Sequence, residues 1–166
     1  MRSLALCMAA AVCVLGSCGK SGAPVPKVAV PAEAACIVWL SRCLETGDFE
    51  PFVIEDAETV NRVRSALAED VKIVALEGVH VGISDDNWLV LIGKEGGAHD
   101  YTILGDHYVY VGGVYLSAQR TMAALRAAEA EGRAHRVSWE RAESLVPEAE
   151  DWRSRQEGRR DTPATR

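Results

Sequence analysis

Two histidine–carboxylate pairs flank one predicted hairpin of this 166-residue chain, and their side chains are suited to metal chemistry. His99-Asp100 begins one predicted strand, and Asp106-His107 spans the end of the following turn and the first residue of the next strand. Neutral imidazole and carboxylate groups are typical zinc ligands, but three or four of them must converge. The chain has no HxH or HExxH pattern, so polar strand ends that face water are the simpler interpretation. A small metal-dependent or hydrolytic enzyme is therefore only an alternative hypothesis, and we expect no metal or other cofactor.

No other pattern in the chain supports a catalytic centre. The acidic turn at 85–87 lacks the alternating oxygen ligands, the central glycine and the distal glutamate of a calcium loop. Neither Ser84 nor Ser117 sits in a GxSxG elbow. The glycine pairs at 96–97 and 112–113 belong to no GxxxxGK[ST] or GxGxxG motif. We therefore expect no catalytic residues, and we place a binding function before an enzymatic one.

Aromatic residues of the predicted sheet are suited to recognition of a partner. Tyr108 and Tyr110 are two residues apart in one predicted strand and therefore share a face, whereas Val109 and Val111 take the other. The valines predict the core side, so the tyrosines should project from the uncovered side. Amphipathic rings there favour protein recognition, and cross-strand pairing that only shields the sheet is the alternative. The candidate binding residues are Tyr108, Tyr110, Trp88 and Tyr101.

The N-terminal segment has the layout of a secretory signal peptide. Arg2 gives a basic start, residues 4–15 form an apolar run, and Leu15-Gly16-Ser17-Cys18 follows. The run is shorter than the roughly 20 apolar residues that a membrane-spanning helix needs. The segment resembles the bacterial lipoprotein signal, whose lipobox has Leu at −3, small residues at −2 and −1, and Cys at +1. This resemblance implies cleavage before Cys18 and attachment of a diacylglyceryl group to its thiol.

The same resemblance implies where the protein resides. In bacteria with two membranes, Gly19 rather than an aspartate after Cys18 implies transfer to the outer membrane. Each buried methylene of an acyl chain contributes about 0.8 kcal/mol, and two or more chains give stable anchorage. We therefore expect a lipid-anchored protein of the cell envelope that faces the periplasm and contacts the membrane through acylated Cys18.

Processing at that position would leave Cys36 and Cys43 as the only thiols of the mature chain. An oxidising, exported compartment favours their pairing. A disulfide needs Cα atoms within about 7 Å, but seven residues span about 10 Å along a helix and about 23 Å along a strand. Cys36 and Cys43 are therefore disulfide candidates only if the chain turns at Ser41-Arg42.

The composition is typical of one globular domain with an acidic surface. Hydrophobic residues make up 48% of the chain and charged residues 25%, which is an ordinary balance. Residues 36–130 carry 15 acidic and seven basic side chains, whereas residues 131–166 carry eight of each. An acidic domain repels phosphate backbones, so we expect a protein or peptide partner and no nucleic acid.

These patterns divide the chain into four segments. They are a signal peptide at 1–17, a flexible Pro/Gly-rich tether at 18–35, a single α+β domain at 36–146, and a polar, Arg-rich mobile tail at 147–166. The tether contains three prolines and no usable periodicity. The tail is polar throughout most of its length.

Periodicity predicts the elements that position the candidate residues. The predicted strands are 49–55, 71–76, 79–83, 88–92, 99–104, 107–111 and 114–116. Residues 79–83 fit either a separate strand or the continuation of 71–76 after a bulge, and residues 36–45 fit either a short helix or a strand. The predicted helices are 57–69, 118–131 and 139–145, with N-caps at Asp56, Ser117 and Ser138. Short turns between strands require antiparallel pairing. We therefore predict an α+β fold in which an antiparallel sheet of four to five strands in meander carries helices on one face.

Three functional hypotheses follow from these expectations. The first is an envelope lipoprotein that binds a protein or peptide through its open sheet face. The second is the small enzyme that uses the histidine–carboxylate pairs. The third is a structural envelope accessory with no specific ligand.

Overall fold

The computed structural model describes residues 27–43, 46–77, 85–111 and 114–160. The predicted signal peptide, Cys18 and the predicted strand at 79–83 lie outside the described residues. The strands are β1 (Cys36–Arg42), β2 (Phe49–Ile54), β3 (Val74–Glu77), β4 (Asp85–Ile92), β5 (Ala98–Leu104), β6 (Tyr108–Val111), β7 (Val114–Ser117) and β8 (His135–Arg136). The helices are α1 (Ala57–Asp70), α2 (Gln119–Ala130), α3 (Trp139–Leu145) and α4 (Ala149–Arg160). Within these ranges, no helix combines the length and the apolar character needed to cross a membrane.

The strands form one antiparallel sheet in the order β3-β7-β6-β5-β4-β1-β2-β8. The α+β class with an antiparallel sheet is confirmed, but the predicted size of four to five strands is wrong because the sheet has eight. Strands β4 to β7 form a meander, whereas β1 lies between β4 and β2. The residues 36–42 form a central strand because their near-continuous apolar run is buried on both faces.

The first face of the sheet, defined as the side that carries Trp39 and Val109, holds the larger core. Helices α1 and α2 pack against each other over this face. Its fully buried strand residues include Ile37, Trp39, Ile54, Leu89, Leu91, Ile103, Val109 and Leu116. These residues come from six strands, so the first face is packed across most of its width.

The second face, which carries Val38 and Trp88, is packed by the two C-terminal helices. Helix α3 contributes Ala142, and α4 contributes Ala149 and Trp152, to a separate cluster with strands β1, β2 and β4. The prediction that all helices lie on one face is therefore wrong. The predicted tail at 147–166 also differs from the structure, because residues 149–160 form α4.

Residues 27–35 lie against the first face as an extended strap. Val28, Val30 and Ala34 pack on the core there. The backbone carbonyl of Ala29 accepts a hydrogen bond from the Tyr101 hydroxyl at 2.6 Å. The second half of the segment predicted to be a flexible tether therefore belongs to the packed domain.

Side-chain caps explain where the helices begin. The Asp56 carboxylate accepts a hydrogen bond from the Thr59 backbone N–H at 2.9 Å and begins α1 as predicted. The buried Asp70 carboxylate accepts from both the backbone N–H and the hydroxyl of Thr121, each at 2.8 Å. The predicted N-cap of α2 is wrong, because Ser117 ends strand β7 and Ala118 occupies the N-cap position.

Candidate binding site on the open sheet face

Within the described part of the chain, no helix packs on the second face of the sheet over strands β5, β6 and β7. The cluster beneath α3 and α4 takes its strand residues from β1, β2 and β4 and none from these three strands. We call this uncovered area, with Thr102, Tyr108, Tyr110 and Tyr115 on it, the open half. Three adjacent strands contribute to this surface, so it is wide enough to contact another protein chain.

The tyrosines of the open half form one aromatic group. Tyr110 pairs directly with Tyr115 across β6 and β7, and their ring centroids are 5.1 Å apart. Tyr108 contacts the same Tyr115 ring edge-to-face at 5.9 Å. Tyr115 is buried, Tyr108 is half-buried and Tyr110 is 41% exposed. Tyr110 is thus the most exposed ring of this group, and Tyr115 packs beside it on the neighbouring strand.

The other two predicted binding residues are placed differently. Trp88 lies on the second face but is buried under Trp152, whose ring stacks on it at 5.5 Å between centroids. Tyr101 lies on the first face, opposite Leu89, and its hydroxyl binds the strap. Burial raises the pKa of Tyr101 to about 12. The structure therefore groups Tyr108 and Tyr110, brings Trp88 to the border of their surface, and separates Tyr101 from it.

A cleft of about 290 Å³ lies beside the open half, where the start of α4 faces strands β4 and β5. Trp88, Trp152 and Val146 give it an apolar wall. The carboxylates of Asp100, Glu148 and Asp151 also line it. Clefts that combine aromatic walls with a few polar groups are the usual form of binding sites.

The acidic residues of the cleft differ from most other carboxylates of the domain. Glu50, Glu55 and Glu131, for example, form ion pairs with arginines at 2.7–3.1 Å. Among the described residues, Asp100 and Asp151 have no such partner, and neither has Glu148. Arg153 on α4 is already paired with acidic residues on α3 and α4. The cleft therefore keeps a negative charge that the described part of the chain does not neutralise.

The histidine–carboxylate pairs do not converge on a metal site. His99 pairs with Leu91 and shares the first face, whereas Asp100 points to the second face. Asp106 and His107 lie in the turn at the opposite end of β5, about 20 Å along the strand from His99 at roughly 3.3 Å per residue. Within the described ranges, no group of three or more His, Cys, Asp or Glu side chains is placed to hold a metal. The geometry thus contradicts the cluster on which the enzyme alternative depends.

Asp106 instead completes a polar network on the first face. The Trp39 indole N–H donates to the Asn87 side-chain oxygen at 2.9 Å, and the Asn87 amide nitrogen donates to Asp106. The Arg126 guanidinium donates to Asp106 at 3.1 Å and lies 5.3 Å from the Trp39 ring centroid. Asp106 takes a positive φ of 58°, a conformation that Asp tolerates better than most residues. Its role in the structure is to hold the β5–β6 turn against β4 and α2.

The two candidate disulfide cysteines lie at opposite ends of one strand. Cys36 begins β1 and Cys43 follows its last residue, Arg42. A straight strand of this length separates their Cα atoms by far more than a disulfide allows. The candidate bridge between them is therefore not formed. Burial raises the pKa of the Cys36 thiol, which disfavours its reactive thiolate.

Sequence reasoning missed the contribution of α4 to the candidate site. Glu148, Asp151 and Trp152 all lie in the segment predicted to be a tail. The available signal was Trp152 itself, a large aromatic residue within a polar stretch. A buried ring of this size supplies most of the apolar surface by which a short helix docks.

Comparisons with known protein families, with curated proteins and with solved structures found no match to this chain.

Proposed function

We propose that this protein is a lipid-anchored lipoprotein of the bacterial envelope whose domain binds a protein or peptide partner without catalysing a reaction. The open half of the second face, with Tyr110 at its surface, is the observation that carries the binding proposal. Exposed aromatic rings supported by neighbouring rings are typical anchors of protein interfaces. The scattered histidines favour binding over the enzymatic alternative.

The lipid anchor in this proposal rests on Leu15-Gly16-Ser17-Cys18, and the outer-membrane location rests on the Gly19 that follows. Cys18→Ala should abolish labelling by a radioactive or clickable fatty acid and leave an unprocessed precursor. Cys43→Ser serves as a control and should be labelled and processed normally. Normal cleavage and membrane retention of Cys18→Ala would contradict the proposed anchor.

The binding proposal is tested by affinity capture of the anchored protein from envelope extracts, followed by mass spectrometry. A specific partner should be lost from the double variant Tyr108→Ala/Tyr110→Ala. Arg120→Ala is the control, because Arg120 is an exposed residue of α2, and α2 packs on the opposite, first face of the sheet. Retention of the partner by the double variant, with its folding verified by circular dichroism, would leave the open half as structural shielding and favour the accessory hypothesis.

A further inference from the structure

The cleft beside the open half combines three features that together specify the charge of its occupant. Its wall is aromatic, from Trp88 and Trp152, and its carboxylates belong to different elements, with Asp100 on β5 and Asp151 on α4. These carboxylates make no ion pair with the described part of the chain. A cationic group that enters the cleft meets both an electron-rich ring system and uncompensated negative charge.

Asp100 is the residue that a purely structural role explains least. Glu148 and Asp151 lie at the beginning of α4, where carboxylates also stabilise the helix dipole. Asp100 instead lies within β5, in register with the buried Val90, and aspartate is disfavoured in strands. Its side chain is exposed on the second face and caps no helix. The side chain of Asp100 lines the cleft.

The size and composition of the cleft favour one long basic side chain over a free metabolite. Its volume of about 290 Å³ lies just below the range of about 300–1,000 Å³ that is typical of small-molecule sites. The apolar wall suits the methylene stem of arginine, and the carboxylates suit its guanidinium head. A bare metal ion would gain nothing from the two tryptophans.

We infer that the cleft receives an arginine side chain of the peptide or protein partner while the rest of the partner lies on the open half. This inference rests on the proposed binding function and adds the chemistry by which the partner is selected. The position of the cleft, directly beside the open half, allows one extended chain to occupy both surfaces. The acidic balance of residues 36–130 adds a long-range attraction for the same basic partner.

Nuclear magnetic resonance of the indole N–H groups tests the inference without a known partner. The probe is an acetylated and amidated pentapeptide with one arginine between glycines, compared with the same peptide carrying citrulline, which is neutral but similar in shape. The arginine peptide should shift the Trp88 and Trp152 resonances and leave that of Trp39, which is buried on the first face, unchanged. The citrulline peptide should bind at least about tenfold more weakly, the loss expected when one charge-assisted contact is removed.

One variant and its matched control test whether the arginine peptide binds in the cleft. Asp100→Asn should weaken binding of the arginine peptide by about three- to tenfold, as expected for removal of one partly exposed charge contact, and should leave the melting temperature unchanged. Glu150→Gln is the matched control, because Glu150 lies next to Asp151 on α4, is exposed and does not line the cleft. It should bind within about twofold of the parent protein, because its solvent-exposed carboxylate does not line the cleft and makes no contact with the bound peptide.

The outcomes separate this inference from the function on which it rests. The inference is overturned if the arginine peptide produces no shift, if citrulline binds equally well, or if Glu150→Gln loses as much binding as Asp100→Asn. If a captured partner still depends on Tyr108 and Tyr110 while the peptides fail, only the inference is wrong. If the peptide binds as described but no partner depends on the tyrosines, the proposed use of the open half is wrong.

Discussion

The two faces of the same sheet are covered to very different extents. On the first face, the helices α1 and α2 bury residues from six strands, from β1 and β2 to β6 and β7. On the second face, α3 and α4 bury residues from only β1, β2 and β4. Neighbours within one strand show the contrast directly, because Val109 is fully buried while Tyr110 is 41% exposed. Among the described residues, the helices therefore leave the second face over β5, β6 and β7 without a packed layer, and the proposed binding function is placed on this part of the sheet.

The largest loss of stability should follow the truncation of a buried side chain on the first face. Leu116→Ala removes a fully buried side chain of β7 and should lower the free energy of unfolding by about 2–5 kcal/mol, as is usual for buried leucines. Tyr110→Ala, in the paired strand but on the open half, should cost about 1 kcal/mol or less. Denaturant unfolding of both variants provides the comparison. Equal losses would mean that both faces of β6 and β7 are packed, contrary to the structure.

Truncation of a side chain on the covered part of the second face should lower the free energy of unfolding less than Leu116→Ala does. Trp152→Ala removes the ring that stacks on Trp88 and contacts Phe49 at 5.1 Å. The expected loss is about 2 kcal/mol, within the range for burial of one large apolar side chain. Hydrogen exchange should also become faster along α4. A Trp152→Ala protein as stable as one carrying the exposed Glu150→Ala change would restore the interpretation of this segment as a tail.

Disruption of the polar network on the first face, formed by Trp39, Asn87 and Asp106, should cause a smaller and more local loss of stability. Asn87→Ala leaves the buried Trp39 indole N–H without its acceptor, and an unsatisfied buried donor costs about 1–3 kcal/mol. Asn61→Ala, at an exposed position of α1, is the control and should be close to neutral. Unfolding of the two variants in urea measures the difference. An unchanged Asn87→Ala protein would show that the network contributes nothing to the first face.

The contribution of Tyr101, whose hydroxyl donates a hydrogen bond to the strap, should depend on pH only above about pH 10. The pKa of Tyr101 is raised to about 12 in the folded state by burial, above the ordinary tyrosine value of about 10. Its contribution to stability is therefore complete below pH 10 and is lost as the pH rises towards 12. The free energy of unfolding of Tyr101→Phe should therefore fall less between pH 10 and pH 12 than that of the parent protein. An ultraviolet titration with all tyrosines ionising near pH 10 would contradict the burial of Tyr101.

Local patterns predicted some elements because the signals lie within a few residues. Asp56 and the apolar spacing after it predict α1, and Ser138 predicts the beginning of α3. The short turns after β4 and β5 predict the meander. Strand β1 could not be distinguished from a buried helix, since a short apolar run that is buried on both sides has no useful period. Strand β8 has only two residues, and both are polar.

The candidate site was harder to predict because it depends on contacts between distant segments. The alternation within β6 places Tyr108 and Tyr110 on one face. The pairing of Ile103 with Val109, however, puts Tyr101 on the opposite face, and that register depends on the length of the β5–β6 turn. The approach of Trp152 to Trp88 joins residues 64 positions apart and has no local signature.

Photocrosslinking in living cells tests the claim that the open half is the binding surface most directly. The photoreactive residue p-benzoylphenylalanine would replace Tyr110 in one strain and Arg120, an exposed residue of α2, in another. Irradiation should give a discrete crosslinked protein from position 110 and none from position 120. No adduct at position 110, or the same adducts from both positions, would contradict the claim that the second face of the sheet carries the function.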